Sequence, residues 1–384
     1  MRPLALTVIV GTRPEVVKMA PVVRVARERA DAFRIRLVLT GQHPELAARL
    51  MEELGLRADV ELALRHSGLA TMFAECLRSL AAVLDEDRPD WVMVQGDTTT
   101  ALAGALAAFY EQIPVAHVEA GLRSGRRRSP FPEEMHRRLV ASLADLQLAP
   151  TPQARRNLLE QSVPDASIVV TGNTVIDSLF DMRRRLATAP SRMLPMPTSR
   201  YVLVTVHRRE NHGERLRRIC DGLLGLLEAN RDLSILLPVH PHPQVAEVVI
   251  GRLSGQPRIV LSQPLGYAAF VDALLNAAIV LTDSGGVQEE CAALGKPVLV
   301  LRDETERVEA VAAEVAMLVG ASPERIVDAA TRLLTDPVAY GAMARRTGAY
   351  GDGTAAARIL EAIERVASTR GSTTPMARTP ADSA

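Results

Sequence analysis

Short, unbroken apolar runs alternate with stretches of helical spacing along nearly the whole chain. LALTVIV (4–10), IRLVLT (35–40), WVMVQ (91–95), PVAHVE (114–119), YVLVTV (201–206), ILLPVH (235–240), IVLTD (279–283) and PVLVL (297–301) show little polar alternation. Runs of this kind belong to parallel strands covered on both faces by helices. From Leu69 onward Met72, Phe73, Cys76, Leu77, Leu80 and Leu84 keep helical spacing, one buried stripe, which puts Cys76 in a core rather than in thiol chemistry. The pattern lapses between about Thr171 and Arg200, where APSRMLPMPTSR (189–200) carries three prolines, and a linker is expected there. A strand, polar loop and helix, YVLVTVHRRENHGERLRRICDGL, then repeats the form of LALTVIVGTRPEVVKMAPVVRV. The expectation is an α/β protein of two Rossmann-like domains whose parallel sheets face each other across a cleft. Residues 1–172 form the first and 173–353 the second, a helix at about 354–368 packs back, and the polar tail 369–384 stays disordered.

The remaining bulk properties narrow the class. A chain of 384 residues exceeds the usual single-core size, in keeping with two domains. Lys plus Arg and Asp plus Glu both number 45, so no global basic field points to nucleic acid or to a membrane surface, and an anionic ligand must be met locally. Cys76, Cys220 and Cys291 lie far apart without a CxxC pair, which argues against a disulfide framework or zinc site and fits a cytoplasmic protein. The first apolar run is followed by GTRPE rather than a small-residue cleavage site, and reads as a strand, not a secretion signal. No apolar stretch reaches bilayer-spanning length.

Ligands of such folds sit beyond the carboxyl ends of the strands, and the chain puts its chemistry there. No GxGxxG or GxxxxGK[ST] occurs, so no dinucleotide or P-loop fingerprint is supported. In TDSGGVQEECAALGKPVLVLRDETER (282–307), Ser284, Gly285 and Gly286 follow a strand and open a helix, a backbone arrangement that receives phosphate, with Glu290 one turn on, placed for ribose hydroxyls. An exposed helix end contributes only about 0.3–1 kcal/mol per charge, so basic side chains must help. Arg13 and Lys18 stand in the first strand-to-helix loop and the helix it opens. Asp97 in VQGDTTT, Glu119 at the end of PVAHVE and Glu133 just inside a Pro-started helix bring three carboxylates to strand ends, where crowding drives their pKa values apart and lets one act as acid and another as base. Between the two glutamates run Arg123, Arg126, Arg127 and Arg128, read as a mobile loop near the cleft. His207, His240 and His242 end two further strands; a metal pair lacks a third ligand, and imidazole beside phosphate is the reading taken.

Taken together, GTRPEVVKMAPV, TGQH, VQGDTTT, HVEAGLRS, SPFPEE, VHRREN, DSGGVQEE, LGKPVLVLRD and TER, in this order between Gly11 and about Gly320, resemble the non-hydrolysing UDP-N-acetylglucosamine 2-epimerases. The resemblance implies a GT-B fold, a homodimer, a UDP-sugar substrate and no metal or nicotinamide. It implies that Asp97, Glu119, Glu133 and His207 are catalytic. Arg13, Lys18, Ser284, Gly285, Gly286, Glu290 and Arg307 are implied to hold the UDP moiety, with Phe270 and the main chain near Leu265 on uracil. It also implies a second, activating UDP-GlcNAc at Gln42, His43, Arg208 and His240, but His66 and Ser67 replace an Arg-Gln pair there. Activation is therefore expected to be weak or absent, so that the rate curve in UDP-GlcNAc is hyperbolic; strong sigmoidicity would contradict this. His136, His242, Val308 and Glu314 depart from the family pattern, which leaves open the amino sugar of a specialised pathway. The other readings are a hydrolysing epimerase that releases UDP and N-acetylmannosamine, and a UDP-sugar-binding sensor.

Overall fold

The unbroken apolar runs become the inner strands of two parallel sheets in the computed structural model, which describes residues 2–41, 44–64, 68–188 and 196–370. The first sheet comprises β1 (Leu4–Val10), β2 (Phe33–Leu39), β3 (Val60–Glu61), β4 (Trp91–Gln95), β5 (Val115–Val118), β6 (Leu146–Ala149) and β7 (Ile168–Val170), in the order β3-β2-β1-β4-β5-β6-β7. The second comprises β8 (Arg200–Thr205), β9 (Leu233–Pro238), β10 (Ile259–Ser262), β11 (Ile279–Thr282), β12 (Val298–Val300) and β13 (Ala316–Leu318), in the order β10-β9-β8-β11-β12-β13. In both, strand order reverses beside the first strand, between β1 and β4 and between β8 and β11. A crevice opens at such a switch point because the flanking crossovers leave on opposite faces.

The strands that carry no long apolar run escape sequence reading. In β6 the buried Gln147 breaks the pattern; its Nε2 donates to the carbonyls of Ala141 at 2.8 Å and Ala144 at 3.2 Å, which offsets part of its burial, while its Oε1 has no hydrogen-bond partner among the described residues. The lapse expected from Thr171 is in part a helix, Thr174–Leu186, with Val175, Ile176, Leu179 and Met182 buried on one face. Arg183, Arg184 and Arg185 in its last turn suit the negative helix end but mask the apolar period. This helix packs against Arg13–Glu28 of the first unit and against Tyr267–Asn276 and Gly285–Leu294 of the second, and so joins the two. The last helix, Ala355–Arg370, returns to Arg13–Glu28 and Thr174–Leu186, burying Ile359, Leu360 and Ile363. Each such side chain contributes roughly 1.5–3 kcal/mol on burial. The outward and return crossings touch at Gly172, where an added Cβ would stand 3.1 Å from Gly351 Cα.

Leu69–Glu86 buries Met72, Cys76, Leu80, Val83 and Leu84 as the spacing predicts. Glu314, one of the departures noted above, takes φ 57 just before β13. A left-handed residue with a Cβ costs about 1–2 kcal/mol, partly offset by the entropy a glycine would lose. Its ion pair with Arg345, 4.0 Å long and exposed, offsets little. Glu314→Gly is therefore expected to raise stability by about 0.5–1 kcal/mol, read as a higher melting temperature; an unchanged or lower one would contradict it. Gln42, His43, His66, Ser67, residues 189–195 of the expected linker and 371–384 of the tail lie outside the described residues. Among those described, no helix is long and apolar enough to cross a membrane.

Candidate active site

The strands that flank the two switch points supply most of the candidate residues. After β1 the chain opens helix Arg13–Glu28, and Glu15 folds back so that its Oε2 accepts the Thr12 N–H at 2.7 Å. Its Oε1 accepts from Thr98 Oγ1 at 2.7 Å, which locks the loop after β1 to the loop after β4. Burial pushes the Glu15 carboxyl up, against those hydrogen bonds. Arg13 is thereby aimed across the cleft, where it donates to the Leu265 carbonyl at 2.8 Å.

Asp97 follows β4 and forms an ion pair with Arg137, whose Nε lies 3.1 Å from Asp97 Oδ2. Burial would push its carboxyl up, but the charge and hydrogen bonds of Arg137, with Lys18 and Arg208 behind them, hold it below the ordinary carboxylate value. His136 Nδ1 lies 3.0 Å from the Asp97 carbonyl oxygen. Glu119 follows β5 with φ 63, a left-handed conformation that costs a non-glycine residue about 1–3 kcal/mol and collects at functional sites. Its Oε2 accepts from Lys18 Nζ at 2.5 Å and from Asn173 Nδ2 at 2.8 Å. Burial again raises the carboxyl, and Lys18 and Arg307 outweigh it, so Glu119 too is held ionised. Glu133 starts helix Glu133–Leu143 and is half-buried; its Oε2 has no hydrogen-bond partner among the described residues. The adjacent Glu134 is fully buried and satisfied by Ser124 N at 3.0 Å, Arg137 Nη1 at 3.2 Å and Arg138 Nη2 at 2.8 Å. Of the two, only Glu133 keeps an oxygen for something else.

The opposite wall is built on β8 and β11. Asp283, fully buried, accepts the main-chain N–H groups of His207 and Arg208 and Asn211 Nδ2, each within 3.1 Å. His207 Nε2 stands 3.7 Å from Asp283 and its ring stacks on His240 at 6.0 Å between centroids. Partial burial lowers the His207 pKa, with Asp283 opposing, which favours the neutral ring. Helix Gly285–Leu294 begins after Ser284, and a Cβ on Gly285 would stand 2.6 Å from Arg307 Cζ. The guanidinium therefore lies against the helix end, where only glycine leaves room, while Gly286 faces open space. Arg307 is not a free anion grip: it is buried, with Nε 2.8 Å from Glu289 Oε1 and Nη2 4.0 Å from Glu119. Burial raises the Glu289 carboxyl, Arg307 opposing and Glu119 adding to it. Glu290 is buried as well, its Oε1 accepting from the Tyr267 hydroxyl at 3.4 Å, and burial together with Glu289 pushes its pKa up to about 8.

Glu119, Lys18, Asn173, Glu289 and Arg307 thus share one buried polar layer linking the two sheets, with the half-buried Asp97 beside it. Leu265 and Phe270 lie at the start of helix Tyr267–Asn276, which Glu53 of the first unit caps by accepting the Tyr267 N–H at 3.0 Å. Arg126 reaches Glu304 of the second unit at 2.5 Å, and Arg123 donates to the Leu122 carbonyl at 2.7 Å. Arg137, Asn173, Asp283 and Glu289 were missed by sequence reading. DSGG and SPFPEE flagged the neighbourhood of Asp283 and Arg137; no local signal marks Asn173. Among the described residues no group of His, Cys, Asp and Glu is arranged to hold a metal ion.

A family model described as UDP-N-acetylglucosamine 2-epimerase matches residues 25–364. The UDP-N-acetylglucosamine 2-epimerase of Yersinia pestis is 45 % identical over 366 residues, covering 93 % of this chain and 97 % of the relative. That of Escherichia coli strain K12 is 43 % identical over 366 residues with the same coverage, 93 % and 97 %. The crystal structure of the Neisseria meningitidis UDP-GlcNAc 2-epimerase bound to UDP-GlcNAc matches with a TM-score of 0.90 at 39 % identity, covering 94 % of this chain and 99 % of that one.

Proposed function

The chain belongs to the UDP-N-acetylglucosamine 2-epimerase family, and we propose that it interconverts UDP-GlcNAc and UDP-ManNAc without net hydrolysis. The observation that carries this reading is the placement of Asp97 and Glu119 on neighbouring strand ends of one sheet, Asp97 paired with Arg137 and Glu119 joined through Asn173, Glu289 and Arg307 to the helix end at Ser284–Gly286 of the other. C2 of the sugar has no adjacent carbonyl, so its proton is not acidic enough for direct abstraction. In the proposed course the C1–O bond breaks first, its electron pair leaving with UDP, and the cationic C1 acidifies the C2 proton. A carboxylate takes that proton as the C1–C2 double bond forms, giving a 2-acetamidoglucal. UDP then re-forms the bond to C1 while a proton is delivered to the other face of C2. Asp97 and Glu119 begin as bases and as counter-charges to the cation, because Arg137 and Lys18 favour their ionised forms. Glu133, with one oxygen unsatisfied, is the third carboxyl of the set, and His207 a neutral partner from the opposite wall.

On this reading residues 1–172 with the returning helix supply the catalytic carboxylates, and 173–353 supply His207 and retain UDP, which must not escape if hydrolysis is to be avoided. Exposed Phe109 and Tyr110 at the end of Thr99–Tyr110, and Leu139 on the helix packed against it, support a homodimer through this face; a monomer mass by sedimentation equilibrium would dismiss it. The chemistry is tested by incubating the protein with UDP-GlcNAc in D₂O and following products by NMR. Deuterium at C2 of a UDP-linked manno sugar is the expected result. Free UDP with free N-acetylmannosamine would assign the hydrolysing reaction, and binding without turnover a sensor or another sugar.

A further inference from the structure

Asn173 stands at the first crossing between the units, 2 % exposed, and every polar group it owns is engaged. Its Oδ1 caps helix Thr174–Leu186 by accepting the Val175 N–H at 3.2 Å, and its own main-chain N–H is donated to the Tyr350 carbonyl, on the return crossing, at 2.6 Å. Its Nδ2 donates to Glu119 Oε2 at 2.8 Å and to Glu289 Oε2 at 2.6 Å. A carboxamide nitrogen carries two hydrogens, so both are spent on carboxylates, one from each unit. Lys18 Nζ meets the same Glu119 oxygen at 2.5 Å, which leaves Oε2 fully occupied. The other oxygen, Oε1, has the longer contact with Arg307 Nη2 at 4.0 Å and is turned toward Gly96, 4.0 Å from where a Cβ would stand, on the Asp97 side of the cleft.

We propose that Asn173 is a positioning residue for the epimerase reaction: it fixes which oxygen of Glu119 faces the substrate, and through Glu289 ties that orientation to the helix end at Ser284–Gly286. The inference rests on the reading of Glu119 as an acid/base group. Neither Asp nor Ala can replace the carboxamide here. Asp has the shape and caps the helix equally well, but it donates nothing and adds a third anion between two carboxylates. Ala leaves both carboxylate oxygens short of a donor in a buried setting. Glu119 is faced by Lys18 from helix Arg13–Glu28, Arg307 from the loop before helix Val308–Ala312, Asp97 from the loop after β4 and Glu289 beyond Asn173. An Asn173→Asp change leaves all four in place and alters only the group between them.

The test is the kinetics of Asn173→Asp and Asn173→Ser, the latter keeping the cap without adding charge should the former fail to fold. Misplacing a group behind a catalytic one typically costs about 10- to 100-fold, and that loss is expected in kcat for both, with KM for UDP-GlcNAc moved by less than about threefold. In Asn173→Asp the limb of the pH–rate profile that belongs to Glu119 is expected to move up by about one pH unit or more, since a like charge disfavours the ionised carboxylate. In a Glu119→Gln background, deuterium incorporation at C2 is expected to be no slower with Asn173→Asp than without it. A wild-type pH profile, full turnover, or an added loss on top of Glu119→Gln would overturn the proposal. Near-normal turnover of Glu119→Gln alone would instead overturn the assignment of Glu119 on which it rests, and the two failures are told apart by that single variant.

Discussion

Glu119→Gln is expected to lower kcat by about 10²- to 10⁴-fold, the usual contribution of a general acid or base. The side chain keeps its size, so the loss reports charge and proton affinity rather than packing. In the wild type Lys18 and Asn173 donate to one oxygen and leave the other facing the cleft, with Arg307 Nη2 4.0 Å away. A Gln amide can satisfy those donors only with its carbonyl oxygen, which turns its NH₂ toward the substrate, a group that neither accepts a proton nor balances a cation at C1. Asp97→Asn and Glu133→Gln are expected to lose at least about 100-fold on the same ground. Initial rates of UDP-ManNAc formation and of deuterium entry at C2 measure all three, and near-normal turnover in any one removes that residue from the reaction.

Gly285→Ala carries the second large effect, and it strikes the opposite wall. The new Cβ would stand 2.6 Å from Arg307 Cζ and 2.8 Å from Nη1, so the guanidinium must leave. A long side chain moves readily by itself, but this one is pinned to Glu289 at 2.8 Å, with Glu306 at 3.9 Å and Glu119 at 4.0 Å. Swinging it aside strips charge compensation from buried carboxylates, and breaking a buried pair in this way costs about 3–5 kcal/mol. Two readouts are expected to move together. Thermal unfolding shifts down, and UDP binding by calorimetry weakens by about 10²-fold or more, in keeping with about 3 kcal/mol lost at the helix end. Wild-type values in both would show that Arg307 finds another place at no expense, and would remove it from the UDP site.

How far such residues are visible in the sequence depends on what fixes their meaning. Asp97, Glu119 and Ser284 are polar residues at the ends of apolar runs, and a strand in a parallel sheet can end only at its ligand-bearing edge, so the run alone places them. The central strands were legible for the same reason, whereas β6 hides behind Gln147, whose burial depends on carbonyls elsewhere in the fold. Arg137 and Asn173 act on partners 40, 54 and 116 residues away, and nothing in their own surroundings distinguishes them from a helix arginine and an ordinary N-cap. Arg307 was legible as a site residue but not as a buried one. A run of TER states the charge, and only the packing of Gly285 and Glu289 around it states that the charge is already matched.

The return of helix Ala355–Arg370 to the first sheet has a consequence for anyone handling the gene. An open reading frame cut between β7 and β8 separates the first sheet from the cover over Arg13–Glu28 and Thr174–Leu186, and each fragment is born with an apolar face. The fragments are expected to be insoluble alone and to recover together when co-expressed; a soluble first fragment with a sharp melting transition would speak against it. Fusing a second copy of the Ala355–Arg370 sequence behind the first fragment is the repair that the topology dictates, because the unit that folds is written in two separated parts of the message.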